Sequence, residues 1–354
     1  MRLVALLACT ATLLLASGTA GAQAPARSWA TPHIQAVVQS GLMGPSVAAF
    51  RPQDPLTEGE LATILVALGE GGIVPRAPER PVTVRELDAR LVAIAGLRPQ
   101  ARAIRRVAAE AGLRPTSWLG TESVARLLGL RVNHARENEH LELQPSDPVT
   151  RAEAAYSLAR LVALEEVEVD AVLGAVSSFS LPQLDQTRRA VLQRALRLVG
   201  SPYVWGGSSE HDQMVGSKAV PGGFDCSGLV WRVYKLPPLA LARPAAEVLR
   251  GRTSYAMSGE VPRRARVSRA ALQPGDVVFF GPRGPRSRPA EVGHMGIYVG
   301  NGWIVHSSQN GTTLQPLTDW YDTSFAWGRN LLAEAGIASP SQAPAASTTA
   351  SYGA

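Results

Sequence analysis

The chain has 354 residues, of which 45% are hydrophobic and 18% charged, and its formal net charge is +6 at pH 7. This length exceeds that of one small domain and this composition excludes an intrinsically disordered chain, so we expect two folded units with tails. The positive charge favours anionic partners, but no basic patch interleaved with aromatic residues and no zinc-ligand spacing accompanies it. We therefore expect no nucleic-acid partner.

Residues 1–24 have the features of a secretory signal peptide. Arg2 supplies a basic start, an apolar run follows through Leu15, and small residues stand at positions 20, 22 and 24. This order predicts export, with cleavage near Ala22 or Ala24 and a mature protein in the periplasm or at the cell wall. A membrane anchor and lipidation at Cys9 stay open as alternatives, although the apolar run is short for either. No other apolar run approaches the roughly 20 residues that a span requires, so we expect no stable membrane span in the mature chain.

The mature chain is expected to keep one cysteine. The chain has two, Cys9 and Cys226, and the first lies within the predicted signal peptide. A lone thiol in an exported protein has no internal disulfide partner, so it is inert, intermolecular or reactive.

Residues 29–164 predict short helices separated by turns rich in glycine and proline. A Pro-apolar-Thr-x-x-Glu pattern occurs three times in this region, with its threonine at Thr57, Thr83 and Thr150. Each copy predicts a capping box, in which the threonine caps a helix and the glutamate returns a bond to the cap backbone. Three copies favour an internal repeat over three independent helix starts.

This region resembles the S-layer-homology repeat. The similarity lies in Phe50-Arg51-Pro52 and in the helix start Thr150-Arg151-Ala152-Glu153. It implies a helical repeat domain at 29–164 with anionic cell-wall polymers as partners. The first copy has Glu58 and the second has Val84 where the family has arginine, so a purely structural role stays open as well.

The next segments are a linker, a helix and, at the chain end, a tail. Residues 165–185 mix acidic, serine and proline residues and predict a linker. A helix is predicted from Gln186 on the apolar spacing of the residues before Gly200. Residues 333–354 are rich in alanine, serine, proline and threonine and predict a disordered tail.

Cys226 is predicted in the first turn of a helix. The apolar spacing of Leu229, Val230 and Val233 indicates the helix, and Asp225 is a favourable N-cap. Unpaired backbone amides and the helix dipole at that position favour a thiolate and predict a lowered thiol pKa. A buried structural cysteine is the alternative, but such a residue would more naturally lie on the apolar stripe.

A nucleophilic thiolate needs a base and a group that orients the base. His294 and His306 lie in two apolar runs joined by Asn301-Gly302, which is a hairpin signal. With a two-residue loop the two rings point to opposite faces of the sheet. With a loop of residues 300–302, or with one bulge, His306 lies opposite Gly296 and shares a face with His294, about 7–8 Å away. A catalytic role for the pair requires this second geometry.

Residues 186–332 resemble the NlpC-type family of cell-wall cysteine peptidases. The resemblance implies a papain-like α+β fold with N-terminal helices and a central antiparallel sheet, preceded here by the mostly helical repeat domain. The matching motifs in chain order are Gly200-Ser201-Pro202-Tyr203-Val204-Trp205-Gly206-Gly207, Asp225-Cys226-Ser227-Gly228, Leu272-Gln273-Pro274-Gly275-Asp276-Val277, His294-Met295-Gly296-Ile297-Tyr298 and Ile304-Val305-His306.

The family's pattern assigns roles to six residues. It implies that Cys226 is the nucleophile, His294 the base and His306 the residue that orients His294. Tyr203 corresponds to a tyrosine near the thiolate that helps to bind substrate or the oxyanion. Asp225 and Ser227 match positions that in some members hold the free amine of the stem peptide. No metal or other cofactor is expected, because the remaining histidines lack a ligand spacing.

The resemblance implies a secreted peptidoglycan hydrolase that cuts stem peptides, at the bond from D-γ-glutamate to the diamino acid. A papain-like amidase or acyltransferase and a non-catalytic wall-binding protein are the alternatives. Three loops are longer than the family's compact pattern, and they either decorate the surface or narrow the cleft and bind an anionic wall. These loops are 208–222, 236–251 and 281–291.

Overall fold

The computed structural model describes residues 28–71 and 74–337. The predicted signal peptide lies outside these residues, as does the part of the predicted tail beyond residue 337. A helical region comes first and a region with an antiparallel sheet follows, so the predicted α+β class is confirmed.

The first region consists of helices. Their bounds are α1 (Thr31–Gln39), α2 (Glu58–Ala67), α3 (Val84–Ile94), α4 (Arg98–Glu110), α5 (Leu119–Leu127), α6 (Arg151–Val162), α7 (Glu166–Ser177) and α8 (Gln186–Arg197).

A ring of three backbone hydrogen bonds joins the three copies of the repeated pattern. Leu56 N–H donates to the Val149 carbonyl at 2.8 Å, Val149 N–H to Val82 at 2.8 Å, and Val82 N–H to Leu56 at 2.9 Å. Each of these buried residues immediately precedes the capping threonine of its copy. The copies therefore occupy equivalent places around one centre, as expected of an internal repeat.

Two of the three predicted capping boxes form completely. In α2, Glu60 N–H donates to Thr57 Oγ1 at 3.3 Å, and Thr57 N–H donates to the Glu60 carboxylate at 3.1 Å. Thr83 and Glu86 make the same pair of bonds at the start of α3. Each cap pairs backbone donors that the helix itself leaves unpaired.

The third capping box, at the start of α6, is incomplete. Glu153 N–H donates to Thr150 Oγ1 at 3.2 Å, as predicted. The Glu153 carboxylate, however, contacts His134 Nε2 at 2.7 Å instead of returning a bond to the cap. The prediction was wrong on this point because Glu153 is buried beside His134 and Arg131, and a buried carboxylate is stabilised by such partners.

The segment 165–185 contains a helix where an irregular linker was expected. Helix α7 starts with a capping box between Glu165 and Glu168. Val172 and Val176, four residues apart, are buried, and α7 packs against α4. The acidic composition of the segment concealed this apolar stripe, because the acidic residues lie at the helix start, where the helix dipole favours them.

The second region contains a five-stranded antiparallel sheet in the order β8-β7-β6-β5-β9. Helix α9 packs on β6 and β7, which brings the predicted nucleophile to the sheet. The bounds are β1 (Ser208–Ser209), β2 (Gln213–Val215), β3 (Lys218–Val220), β4 (Gly223–Phe224), α9 (Cys226–Tyr234), α10 (Arg243–Val248), α11 (Ser254–Gly259), β5 (Val277–Phe280), β6 (His294–Gly300), β7 (Trp303–Ser308), β8 (Gly311–Pro316), α12 (Asp319–Thr323), β9 (Phe325–Arg329) and α13 (Leu331–Glu334).

The end of the sheet region differs slightly from the prediction. Helix α13 continues to Glu334, and Ile337 N–H donates to the Leu332 carbonyl at 2.9 Å. Residues 333–337 are therefore the end of a helix and not the start of a tail. Buried Leu331 and Leu332 anchor this helix to the core.

The two regions are joined through buried Arg126 of α5. Its guanidinium donates to the carbonyl oxygens of Gly200 and Asn310, both in the sheet region. A buried arginine needs such acceptors, because an unpaired charge in the interior is costly. Among residues 28–71 and 74–337, no helix combines the length and the apolar character needed to span a membrane.

Candidate active site

Helix α9 begins at Cys226, and Asp225 caps it as predicted. The Asp225 carboxylate accepts a hydrogen bond from Gly228 N–H, and its Oδ2 atom accepts another from Gly206 N–H at 3.0 Å. Gly228 permits a close approach of the 200–207 loop, since a Cβ at this position would lie 1.8 Å from the Gly207 carbonyl oxygen. These contacts hold the loop that carries Tyr203 against the start of α9.

The two histidines share one face of the sheet. Gly296 pairs with His306, and the register of β6 and β7 shifts between residues 298 and 300. Residues 300, 301 and 302 all have positive φ, at 123°, 46° and 81°. His294 Nε2 and His306 Nδ1 are 3.0 Å apart. The second of the two predicted hairpin geometries is therefore the observed one.

The Cys226 thiol is half-buried beside the backbone of Met295, the residue that follows His294. Burial and the Asp225 charge raise the pKa of the thiol to about 12, although the amides of Met295 and Ser227 favour the thiolate. The lowered pKa expected from the helix start is therefore not found. The cost of removing the charged sulfur from water exceeds the gain from the backbone amides.

The histidine pair is neutral in the resting site. Burial and the neighbouring His306 hold the pKa of His294 well below its usual 6.5. Burial lowers the pKa of His306 to about 4, and the side chain of Gln315 partly offsets this. His306 Nε2 makes no hydrogen bond of ordinary geometry among the described residues, and the Gln315 side chain is the polar group that favours the charged form of the ring.

Tyr203 lies beside the segment that leads into the nucleophile helix. It forms an isolated parallel bridge with Phe224, two residues before Cys226. Burial raises the pKa of its phenol, and the negative charges of Cys226 and Asp225 raise it further. The Tyr203 phenol is therefore neutral and keeps its proton as a hydrogen-bond donor.

A guanidinium contacts the two residues predicted to hold an amine. Arg252 Nη1 lies 2.9 Å from Ser227 Oγ and 3.4 Å from Asp225 Oδ1. Arg252 Nη2 also donates to the Gly206 carbonyl at 2.8 Å. A cation from the chain itself therefore already pairs with these atoms. Sequence reasoning missed Arg252, which precedes the capping threonine of α11 and is far from Asp225 along the chain.

Aromatic rings surround the histidine pair and were also missed. The ring centroid of His294 is 5.7 Å from that of Phe280, 6.2 Å from Trp320 and 5.9 Å from Tyr321. Trp320 is 52% exposed, so its ring forms part of the open wall near His294. Helix α12, which carries Trp320 and Tyr321, has five residues and is too short for its apolar spacing to be recognised.

The three long loops are ordered where the structure describes them. The first contains the hairpin of β2 and β3, and the second contains α10. In the third, Arg283 and Arg288 pair with Glu291, which leaves Arg286 as the arginine of this loop without an ion pair among the described residues. Glu291 thus balances one of the three positive charges of this loop, and two remain to face an anionic wall.

Comparison with known proteins places two family matches on the chain. Residues 200–329 match the NlpC/P60 family, and residues 25–62 match the S-layer homology domain. Within the described residues, no group of three or more histidine, cysteine, aspartate or glutamate side chains is placed to hold a metal ion.

Several curated relatives are similar to the second region. A probable endopeptidase of Mycobacterium tuberculosis is 37% identical over 128 residues, which are 36% of this chain and 25% of the relative. The murein DD-endopeptidase MepH of Escherichia coli is 30% identical over 147 residues, 41% of this chain and 45% of the relative. The bifunctional muramidase/DL-endopeptidase CwlT of Bacillus subtilis is 34% identical over 141 residues, 39% of this chain and 35% of the relative. The chain thus covers less than half the length of each.

Solved structures with similarity to the chain include an NlpC/P60 family protein from Bacillus cereus, with 24% identity and a TM-score of 0.32 over 44% of this chain and 43% of that one. Another is RipD of Mycobacterium tuberculosis, described as a non-catalytic NlpC/p60 domain protein, with 20% identity and a TM-score of 0.30 over 42% of this chain and 98% of that one. The family matches at residues 200–329 and 25–62 are to the two families that the sequence resembles, and they confirm both resemblances.

Proposed function

We propose that this chain is an exported cysteine endopeptidase that cuts peptidoglycan stem peptides, with Cys226 as nucleophile, His294 as base and His306 as the residue that orients the base. The observation that carries the proposal is the 3.0 Å contact between His294 Nε2 and His306 Nδ1. The backbone of Met295, the residue that follows His294 on β6, contacts the Cys226 thiol. A nucleophile, a base and an orienting group in this order are the requirements of cysteine peptidase chemistry.

The path of the thiol proton follows from which ring nitrogen of His294 is not bonded to His306. Because Nε2 of His294 is bonded to His306, Nδ1 is the nitrogen that can accept the thiol proton. His294 then carries its own proton on Nε2 and donates it to His306 Nδ1. His306 in turn carries its proton on Nε2, the nitrogen supported by the side-chain amide oxygen of Gln315. This arrangement fixes the tautomer of each ring, as an orienting residue must do.

The bond cleavage uses groups at the start of α9. The sulfur attacks the amide carbon while His294 takes the thiol proton, and the Cys226 N–H and the Tyr203 hydroxyl stabilise the oxyanion. His294 donates the proton to the leaving amine, which departs and leaves an acyl-enzyme. A water molecule activated by His294 hydrolyses this thioester and restores the thiol.

The bond from D-γ-glutamate to the diamino acid is proposed as the one cleaved. This assignment comes from the family resemblance, and the names of the curated relatives support endopeptidase action in general. Asp225 and Ser227 remain the proposed site for the amine of the stem peptide, although an amine would have to displace Arg252 from them.

The helical region is proposed to serve the same wall, but the repeat copy that carries the full Thr-Arg-Ala-Glu motif favours a structural role. Arg151 of this copy is buried, donates to the Phe50 carbonyl at 2.8 Å and forms an ion pair with Glu60. Its charge is therefore already compensated within the fold, so an anionic polymer gains little from it.

The decisive experiment incubates the mature protein and its Cys226→Ala and Cys226→Ser variants with defined muropeptides, followed by mass spectrometry of the products. We expect peptide release by the native protein and loss of at least 10³-fold in rate for both variants, about the scale seen when a nucleophile is removed. Products cut at the amide between sugar and peptide, or transferred acyl groups, would indicate the amidase or acyltransferase alternative. Wall binding without any product would indicate the non-catalytic alternative.

A further inference from the structure

The helical region reaches the loop that carries Tyr203. Tyr203 N–H donates to Asn133 Oδ1 at 2.7 Å, and Asn133 Nδ2 donates to the Tyr203 carbonyl at 3.3 Å. One side chain thus pairs with both backbone groups of Tyr203, as a neighbouring strand would. Two residues further on, Trp205 N–H donates to the buried Glu139 carboxylate at 2.6 Å. Residues 133–139 therefore fix the position of residues 203–205.

The same segment presents a cation beside this loop. The Cζ atom of Arg136 lies 5.2 Å from the centre of the Trp205 ring, and both side chains are exposed, Trp205 at 52%. Arg136 forms no ion pair with the carboxylates of the described residues. Lys218, in the hairpin of the first long loop, donates to the Arg136 carbonyl at 3.5 Å and adds a second positive charge.

The loop beside this cation is also bonded to the segment that leads into the nucleophile helix. Tyr203, two residues before Trp205, forms a parallel bridge with Phe224, two residues before Cys226. The neighbouring Gly206 N–H donates to Asp225, the cap of the nucleophile helix. Arg136 therefore lies against the loop that is bonded to the start of the nucleophile helix, and both regions of the chain contribute to this part of the molecule.

We propose that Arg136 and Trp205 form a subsite for a carboxylate of the stem peptide, held in place by Asn133 and Glu139; this inference rests on the proposed function. A D-glutamyl residue linked through its γ-carboxyl keeps a free α-carboxylate next to the bond to be cut. A planar guanidinium recognises a carboxylate through two parallel hydrogen bonds. The indole face supports the guanidinium from one side and restricts its motion before the substrate arrives.

An exposed arginine is ordinarily just solvated, and three features set Arg136 apart. Among the described residues it has no acidic partner, it stacks on an exposed tryptophan, and its neighbours are bonded to the loop beside the nucleophile. A substrate carboxylate would supply the missing partner. The helical region would then take part in substrate recognition as well as in any attachment to the wall.

The test compares two muropeptides that differ only in whether the α-carboxylate of the γ-linked glutamyl residue is free or amidated. We expect the native protein to cleave the free carboxylate about tenfold more efficiently in kcat/KM, a ratio typical of a hydrogen bond to a charged group. Arg136→Gln should bring this ratio close to one through a higher KM for the free carboxylate alone. Arg136→Lys should restore part of it, and Arg105→Gln, at an exposed arginine of α4, should leave it unchanged.

A ratio near one in the native protein, or an unchanged ratio in Arg136→Gln, would overturn the subsite while leaving the endopeptidase proposal intact. Equal losses on both substrates would overturn it too, since they would indicate a structural role for Arg136. Absence of cleavage of either substrate by the native protein would instead contradict the proposed function. Asn133→Ala should slow cleavage of both substrates through kcat, because it releases Tyr203 without removing the cation.

Discussion

His294 Nε2 and His306 Nδ1 are 3.0 Å apart, and the two imidazole planes are nearly perpendicular, at 88°. This single contact determines which nitrogen of His294 remains for the thiol. It also depends on the bulge between residues 298 and 300, because a regular two-residue hairpin would place the rings on opposite faces of the sheet. The catalytic proposal therefore depends on the backbone conformation of the turn at residues 300–302.

Replacing His306 should slow cleavage without abolishing it. His306→Ala removes the acceptor that fixes the tautomer of His294, and we expect kcat to fall roughly 100-fold, the lower end of general base contributions. His306→Asn, which retains an acceptor, should recover part of the rate. The measurement is kcat on a defined muropeptide, with His211→Ala, at an exposed histidine, as the control. A loss below twofold would contradict the orienting role.

The pH profile should lack an acid limb near the ordinary pKa of histidine. The pKa of His294 is held below 6.5, so the ring becomes protonated, and unable to accept the thiol proton, only in more acidic solution. We expect kcat/KM to stay constant from pH 6.5 to 8 and to fall at lower pH. An acid limb with its midpoint above 6.5 would indicate that the resting site is an ion pair.

The resting thiol should also react slowly with iodoacetamide. A pKa raised to about 12 leaves very little thiolate at pH 7. We expect alkylation of Cys226 to be roughly 100-fold slower than that of free cysteine, since the thiolate is the nucleophile. Protein unfolded in denaturant, where the thiol regains its ordinary pKa, is the control. Equal rates in the folded and unfolded states would contradict the raised pKa.

Arg252 should weaken the enzyme's preference for a free amine on the stem peptide, because the amine must compete with the guanidinium for Asp225 and Ser227. Because its guanidinium already pairs with Asp225 and Ser227, acetylation of that amine should change kcat/KM less than about threefold, within the range of an exposed charge pair. Arg252→Met should create a preference for the free amine, and Arg250→Met should not. The measurement is the ratio of kcat/KM for the free and the acetylated peptide, which does not depend on the amount of active protein. A strong preference in the native protein would mean that the amine displaces Arg252.

Glu142 should make the folded state less stable as the pH rises. Burial raises the pKa of Glu142 from its usual 4.5 to about 8. Between these two values the folded protein keeps a proton that the unfolded chain has released, so the free energy of unfolding falls with rising pH, by about 1.4 kcal/mol per pH unit at most. Glu142→Gln keeps an acceptor for His134 N–H and removes the charge, so it should stabilise the protein at pH 8 and be neutral at pH 4.5.

Denaturant unfolding of native protein and Glu142→Gln at several pH values checks this expectation, with Glu137→Gln, at an exposed glutamate, as the control. A difference between native and variant that does not grow with pH would contradict the raised pKa. Other buried carboxylates also change the free energy of unfolding with pH. Their contribution is the same in the native protein and in Glu142→Gln, so it cancels in the difference between the two.

Local chemistry made parts of the fold and the site predictable. Asp225 as a cap, the helix start at Cys226 and the alternatives for the 300–302 turn all depend on residues within a few positions of one another. The repeated threonine caps are equally local. Two of the capping boxes form as expected. The third is incomplete because the Glu153 carboxylate contacts His134, a residue that lies 19 positions earlier.

Features that depend on the assembled structure could not be predicted. The direction of the Cys226 pKa shift is set by how the sheet covers the thiol, and no nearby residue reveals that. Arg252 reaches Asp225 across 27 positions, and Trp320 and Tyr321 contact His294 from the far side of β7 and β8 along the chain. Asn133 and Glu139 contact the Tyr203 loop across about 70 positions.

The hydrogen-bonded circle of Leu56, Val82 and Val149 limits how many repeat copies this protein can gain or lose. An open stack of repeats can gain or lose a unit at either end, because each unit contacts only its neighbours. Here every copy supplies one donor and one acceptor to a closed triangle, so deleting any one leaves two buried backbone groups without partners. The closed hydrogen-bond pattern thus fixes the number of repeat copies at three. A truncated protein that lacks one copy should fold poorly and be degraded.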